Sequence, residues 1–211
     1  TACSARLSSP RRLQIIMDGK QRFLEIYDGK IGRRGAETLR NYLLDSDFFV
    51  APASGRFHNC HRGGLCEHSV NVYEQLVRIA DAEFGAERAE KFTDETLAIC
   101  GLLHDVCKID YYKEDFRNVK NENGEWERKP YYSKNEVLPY GHGEKSVYII
   151  NSFMQLTRAE ALAINWHMGG FDVRVRGGDY SMSEAYSRYP LCALLHAADL
   201  LATYLDEERG A

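Results

Sequence analysis

The chain has 211 residues, is 44% hydrophobic and 27% charged, and carries a formal net charge of −4. That length supports one domain with a real core, and no run approaches the roughly 18 unbroken apolar residues of a spanning helix, so a membrane protein is excluded. The acidic balance gives no bulk attraction for polyanions, so a nucleic acid would have to be held by local groups, and a small phosphorylated substrate is the simpler expectation.

Residues 1–36 carry arginines, two Asp-Gly-Lys turns (Asp18 to Lys20 and Asp28 to Lys30) and short apolar runs such as FLEIY. They predict a hairpin-like or loosely attached extension with no function legible in it. The N-terminus has basic residues but no apolar signal core, which with the composition predicts a cytoplasmic protein. The main domain is expected over 37–211. The pattern AETLRNYLLDS from Ala36 to Ser46 is helical, and the Pro-, Gly- and Ser-rich stretch that follows it is a loop. Stronger helical periods run roughly over 65–82, 93–108, 142–155 and 157–168, and a last one over about 190–206.

Between the second and third of these strong helices, residues 109–141 break the helical period. Asn123-Gly124 stands in a turn-forming position among Tyr111, Tyr112, Phe116, Trp126, Tyr131, Tyr132 and Tyr140. The stretch reads as a β-hairpin insertion. The six cysteines, at 3, 60, 66, 100, 107 and 192, form no CxxC pair, and most lie in apolar helical runs. Free thiols in a reducing compartment are expected.

Placing the polar residues on these helices turns histidines inward. His68 shares a stripe with Val72, Leu76 and Ile79; His104 lies below Leu97 and Cys100; His142 precedes Ser146, Ile149 and Phe153; His167 follows Ala163 and Ile164. Asp199 is in register with Cys192 and Leu195. Asp105, beside His104 in an almost wholly apolar helix, is the most telling: an unpaired buried carboxylate costs several kcal/mol, so it needs a cation. A single histidine on an apolar face is more often a hydrogen-bonded core residue than a ligand. Inward-facing imidazoles and carboxylates from several helices can instead satisfy one another by converging on divalent metal.

At these residues the chain resembles the HD superfamily of metal-dependent phosphohydrolases, whose pattern is a His, a later His-Asp doublet and a distant Asp. The matching segments are GGLCEHS with His68, LLHDVCK with His104 and Asp105, and HAADLLATY with Asp199, and the resemblance spans about Phe57 to Tyr204. It implies an all-α helical bundle decorated by the hairpin. PYGHGEKS with His142 and NWHMGG with His167 look like the extra histidines of the binuclear branch, which includes phosphodiesterases and exoribonucleases. The resemblance therefore implies His68, His104, Asp105, His142, His167 and Asp199 as ligands to one or two divalent ions (Fe, Mn, Co, Ni or Zn), with Asp105 bridging. If His142 and His167 contact substrate phosphate instead, the site holds one metal.

The chemistry implied is phosphoester hydrolysis by a metal-bridging hydroxide, because a metal lowers the pKa of bound water toward neutrality. No serine sits in a nucleophile elbow and no Cys-His pair stands in a reactive setting, which disfavours covalent catalysis. Lys108, one turn from His104, is a catalytic candidate that could equally be a helix C-terminal cation. His61, Arg62 and Lys145 are the candidates for substrate phosphate, each also readable as a solvated residue. His58 and His196 are left outside the site; His196 could orient Asp199, but a histidine there is more often an ordinary core residue. Arg174 and Arg176 receive no role. The aromatic insertion would be either a lid that stacks a nucleobase or a self-packed flap.

The function expected is a phosphodiesterase acting on a nucleotide or an RNA end. The alternatives are a mononuclear nucleotidase or deoxynucleotide triphosphohydrolase, and a non-catalytic nucleotide-binding module. A structural metal site is disfavoured because such sites are rich in cysteine. No membrane partner is expected, and homo-oligomerisation stays open.

Overall fold

The computed structural model describes residues 10–207. It contains helices α1 (Pro10–Lys30), α2 (Ala36–Asp45), α3 (Gly64–Phe84), α4 (Arg88–Lys91), α5 (Asp94–Leu103), α6 (His142–Asn151), α7 (Arg158–Asn165), α8 (Val173–Arg176), α9 (Ser181–Arg188) and α10 (Pro190–Leu201). One antiparallel pair, β1 (Tyr112–Lys120) and β2 (Trp126–Lys134), completes the fold. This is the expected all-α bundle with a hairpin. Helix α3 runs through the middle and packs against α1, α5 and α10, while α7 packs against α5, α6 and α10.

Local chemistry sets the ends of the site-bearing helices. Thr93 caps α5 by accepting from the Thr96 amide at 3.1 Å. Thr157 and Glu160 form a reciprocal capping box on α7, and Pro190 opens α10. Two glycines permit the close crossings that bring these helices together. A Cβ on Gly101 would come within 2.5 Å of Tyr73 Cα on α3, and one on Gly143 would overlap the Asn165 carbonyl at the end of α7.

Three expectations are corrected. The segment before Gly32 is a helix rather than a hairpin or a loose arm: Phe23, Ile26 and Tyr27 are buried in the common core. The Asp-Gly-Lys triplets mark no turn, because that apolar stripe outweighs the weak helix propensity of a single glycine. Residues 1–9, including Cys3, lie outside the described residues. The helix expected over 93–108 stops at Leu103, and Val106–Lys108 form a separate 3-10 turn. Finally, Cys60 is disulfide-bonded, whereas Cys66, Cys100, Cys107 and Cys192 are free and buried, as small hydrophobes would be.

The hairpin turns at Asn121 to Glu125. The Asn121 side chain accepts from the amides of Asn123 and Glu125, and Gly124 takes a φ of 81°. Tyr132 at its base is buried, while Phe116 and Trp126 toward the tip are 51% and 69% exposed. No helix among the described residues is long and apolar enough to cross a membrane.

A buried ion pair fastens the first two helices to the bundle. Arg33, between α1 and α2, donates both guanidinium ends to Glu160 at 2.8 and 2.9 Å and one to Glu95 at 3.1 Å. Thr96 adds a bond to Glu160 at 2.9 Å. Burial opposes the Glu160 charge, yet Arg33, the Thr157 amide and Thr96 together hold its carboxyl below the ordinary value of 4.5. Arg33→Ala should therefore cost about 3–5 kcal/mol in urea unfolding at neutral pH, because it strands a buried carboxylate. Since the Glu160 pKa is depressed on folding, the wild-type contribution is present above 4.5 and lost as pH falls through the folded value, so the gap to the variant should narrow in acid.

Candidate metal centre

Six side chains from five parts of the bundle converge, with Asp105 at the centre. His68 comes from the first turns of α3, His104 and Asp105 from the chain just past α5, His142 from the first residue of α6, His167 from just past α7, and Asp199 from α10. The doublet sits where α5 unwinds rather than within it, with Asp105 at φ −109° and ψ 18°. That position has a use, because the last carbonyls of a helix lack intrahelical donors. The His104 Nδ1–H donates to the Gly101 carbonyl at 2.9 Å, and the His167 Nδ1–H donates to that of Ile164 at 2.7 Å. Each ring is thereby fixed in the tautomer whose Nε2 lone pair faces the centre.

The two Asp105 oxygens face different neighbours. Oδ1 lies 2.8 Å from His142 Nε2 and 3.5 Å from His167 Nε2. Oδ2 lies 2.5 Å from Lys108 Nζ, 3.5 Å from His68 Nε2 and 3.6 Å from His104 Nε2. Asp199 Oδ1 closes the second group at 3.3 Å from His68 Nε2. Four overlapping sets of donor atoms, His58/His68/Glu207, His68/His104/Asp199, His104/Asp105/His167 and Asp105/Cys107/His142, are each compact enough to ligate one ion.

Two features fit a divalent cation. His167 Nε2 is buried without a hydrogen-bond partner, and the Nε2 atoms of His68 and His104 face each other at 3.1 Å, which leaves at most one proton for two lone pairs. The electrostatics agree. Burial opposes charge on His68, but the Glu207 carboxylate and bonds to Asp105 and Asp199 raise it well above 6.5. Burial drives His104 down to about 3. His142 is also opposed by burial, yet Cys107 and Asp105 beside it hold it at about 10. Against burial, Lys108, His104 and the bond from His142 keep Asp105 far below the usual carboxylate range; His68 does the same for Asp199. Protons and one ammonium thus supply the positive charge that divalent metal would supply, as expected of ligands that must lose protons to bind it.

The other expected residues fall elsewhere. Lys108 is buried against Asp105, where burial opposes its charge and the carboxylate raises its pKa above the ordinary lysine value. Lys145 does not flank a solvated face: it is buried, bonded to Glu136 Oε1 at 2.7 Å and stacked over Tyr111 at 5.3 Å. His61 contacts Glu67 at 3.4 Å and the Arg62 carbonyl, and Arg62 is exposed. His196 donates from Nδ1 to the His167 carbonyl at 2.7 Å, so it supports the His167 turn rather than Asp199. Arg174 binds Asp172 and Asn165 and lies over the Trp166 ring at 3.8 Å.

Three residues outside the expected set adjoin the cluster, and one of them, Cys107, has its Sγ 3.5 Å from His142 Nδ1, a Cys-His contact that the sequence did not predict. Glu207 binds His68 Nδ1 at 2.8 Å and His58 Nδ1 at 2.6 Å, and the His58 ring meets that of His68 with centroids 4.7 Å apart. Glu207 lies beyond the π turn that follows α10, in extended backbone, so α-helical register from Asp199 held no signal for it. His58 sits in a loop and carries no periodic signal.

A family model described as HD domain matches residues 65–204. No curated protein and no solved structure matches the chain. Asp105→Ala should abolish metal retention in elemental analysis and lower the thermal midpoint of the metal-loaded protein, because it removes the one carboxylate that touches both imidazole groups. A metal-replete Asp105→Ala protein would refute the centre.

Proposed function

The chain belongs to the HD-domain superfamily of metal-dependent phosphohydrolases, and on that premise we propose that it is a binuclear phosphodiesterase acting on a nucleotide or an RNA end. The observation that carries this reading is the division of Asp105, with Oδ2 toward His68 and His104 and Oδ1 toward His142 and His167. A carboxylate with imidazoles on both oxygens suits two cations. His68, His104, Asp105 and Asp199 would hold one ion; Asp105, His142 and His167 would hold the other. Divalent metal bound there supplies positive charge to phosphoryl oxygens and lowers the pKa of water toward neutrality.

The remaining work falls to the chain's own groups. His104 and His167, locked through Nδ1, present unprotonated Nε2 atoms at no cost in reorganisation. Lys108, whose ammonium is paired with Asp105 Oδ2, would be available to a substrate phosphoryl oxygen. Tyr112 at the hairpin root lies in the electrostatic field of Lys108 and Asp105. From there, the strand face that carries Phe116, Lys120, Trp126 and Arg128 leads outward, with Arg128 over the Phe116 ring at 4.4 Å and Lys120 over Trp126 at 5.4 Å. Exposed rings with cations beside them suit a base and its phosphate.

One observation favours a mononuclear nucleotidase: the His142 side chain is 34% exposed while His68, His104 and His167 are buried. An exposed imidazole could meet substrate phosphate directly. Metal analysis of the purified protein separates the readings when paired with hydrolysis of bis-p-nitrophenyl phosphate and p-nitrophenyl phosphate in the presence of Mn, Fe, Co, Ni or Zn. We expect two ions per chain and diester cleavage. One ion with monoester cleavage alone would establish the nucleotidase, product formation of neither kind would leave a binding module, and no metal would overturn the proposal. Phe116→Ala and Trp126→Ala should each raise KM for a nucleotide substrate by about 5-fold or more, with no change on bis-p-nitrophenyl phosphate, since stacking is worth about 1–3 kcal/mol per base.

A further inference from the structure

We propose that Glu207 is a positioning residue for His68, held in place by His58, so that the segment following α10 tunes the affinity of the centre without entering it. The inference rests on the reading of the centre as a metal site. Glu207 follows a π-helical turn, Ala202–Asp206, that continues α10 beyond Asp199. A π turn takes an extra residue per turn and re-aims the side chains beyond it. Here it carries Glu207 inward, where the carboxylate side chain is 0% exposed.

Both carboxylate oxygens are used. Oε1 accepts from His68 Nδ1 at 2.8 Å and from the Asn71 amide at 3.3 Å; Oε2 accepts from His58 Nδ1 at 2.6 Å. Because the His68 Nδ1–H is committed to Glu207, the Nε2 lone pair is left to face His104, Asp105 and Asp199. A carboxylate on the far nitrogen of a ligating histidine fixes the ring and raises its basicity toward the metal. His104 and His167 use neutral backbone carbonyls for the same purpose, so His68 stands apart as the imidazole backed by a full charge. A carboxylate wanted only for packing would be a costly choice at such a depth. His58 completes the arrangement by holding Oε2, which keeps the carboxylate from rotating off His68.

The test is cobalt(II) binding to the full chain after chelation, read by competition against a chromophoric chelator and by the visible spectrum of the bound ion, with folding followed by circular dichroism. Glu207→Gln preserves shape and removes charge; we expect wild-type folding with cobalt affinity lowered about 10- to 100-fold and an altered spectrum. His58→Asn retains a donor near the Nδ1 position and should bind nearly as the wild type does, whereas His58→Ala should fall between it and Glu207→Gln. Wild-type affinity and spectrum in Glu207→Gln and His58→Ala would overturn the inference and leave the metal reading standing. If Glu207→Gln fails to fold, the His58 pair decides by the same criterion. A wild-type protein that takes up no cobalt or other divalent ion would overturn the metal reading, and this inference with it.

Discussion

The Asp105 carboxylate is the constraint around which the centre is organised. It is buried, and an isolated carboxylate at that depth would protonate rather than ionise. The chain keeps it charged by surrounding it with Lys108 and imidazoles from α3, α5, α6 and α7 or the turns that follow them. Each of those donors is available because a helix begins or ends beside it. His142 is the first residue of α6, and His104 and His167 follow the ends of α5 and α7, where free carbonyls fix their rings.

Such convergence demands backbones that approach closely and cannot drift. The glycines at 101 and 143 provide the approach, and the Arg33–Glu160 pair provides the restraint at the opposite ends of α5 and α7. The first helix, although it precedes the matched family region, therefore shares the core and its fastening. Stability and site geometry are coupled through α5 and α7, which bear the fastening at their starts and site histidines at their ends.

Much of this was legible in the sequence, for reasons that can be named. The stripes on α3 and α10 pointed His68 and Asp199 inward, and their side chains meet at 3.3 Å. The hairpin was legible because Asn-Gly, aromatics and a broken helical period are local signals. What stayed hidden was set by tertiary contacts. Two Asp-Gly-Lys triplets outvoted, on local evidence, a stripe of Phe23, Ile26 and Tyr27 that only burial reveals. Lys145 looked like a solvated flank because its partner Glu136 sits in the irregular segment before α6. The His58–Glu207 bond joins a loop to a turn 149 residues away, and no spacing rule connects them.

The hairpin leaves the bundle just after Lys108 and returns just before His142, so its two roots are joined by the 2.8 Å bond between Asp105 and His142. The insertion is thus a closed loop whose base is the centre itself. Lengthening a closed loop costs free energy only logarithmically in its length. The tip can therefore gain, lose or exchange residues while the groups at its base keep their spacing, so variation in the insertion is uncoupled from the geometry of the centre.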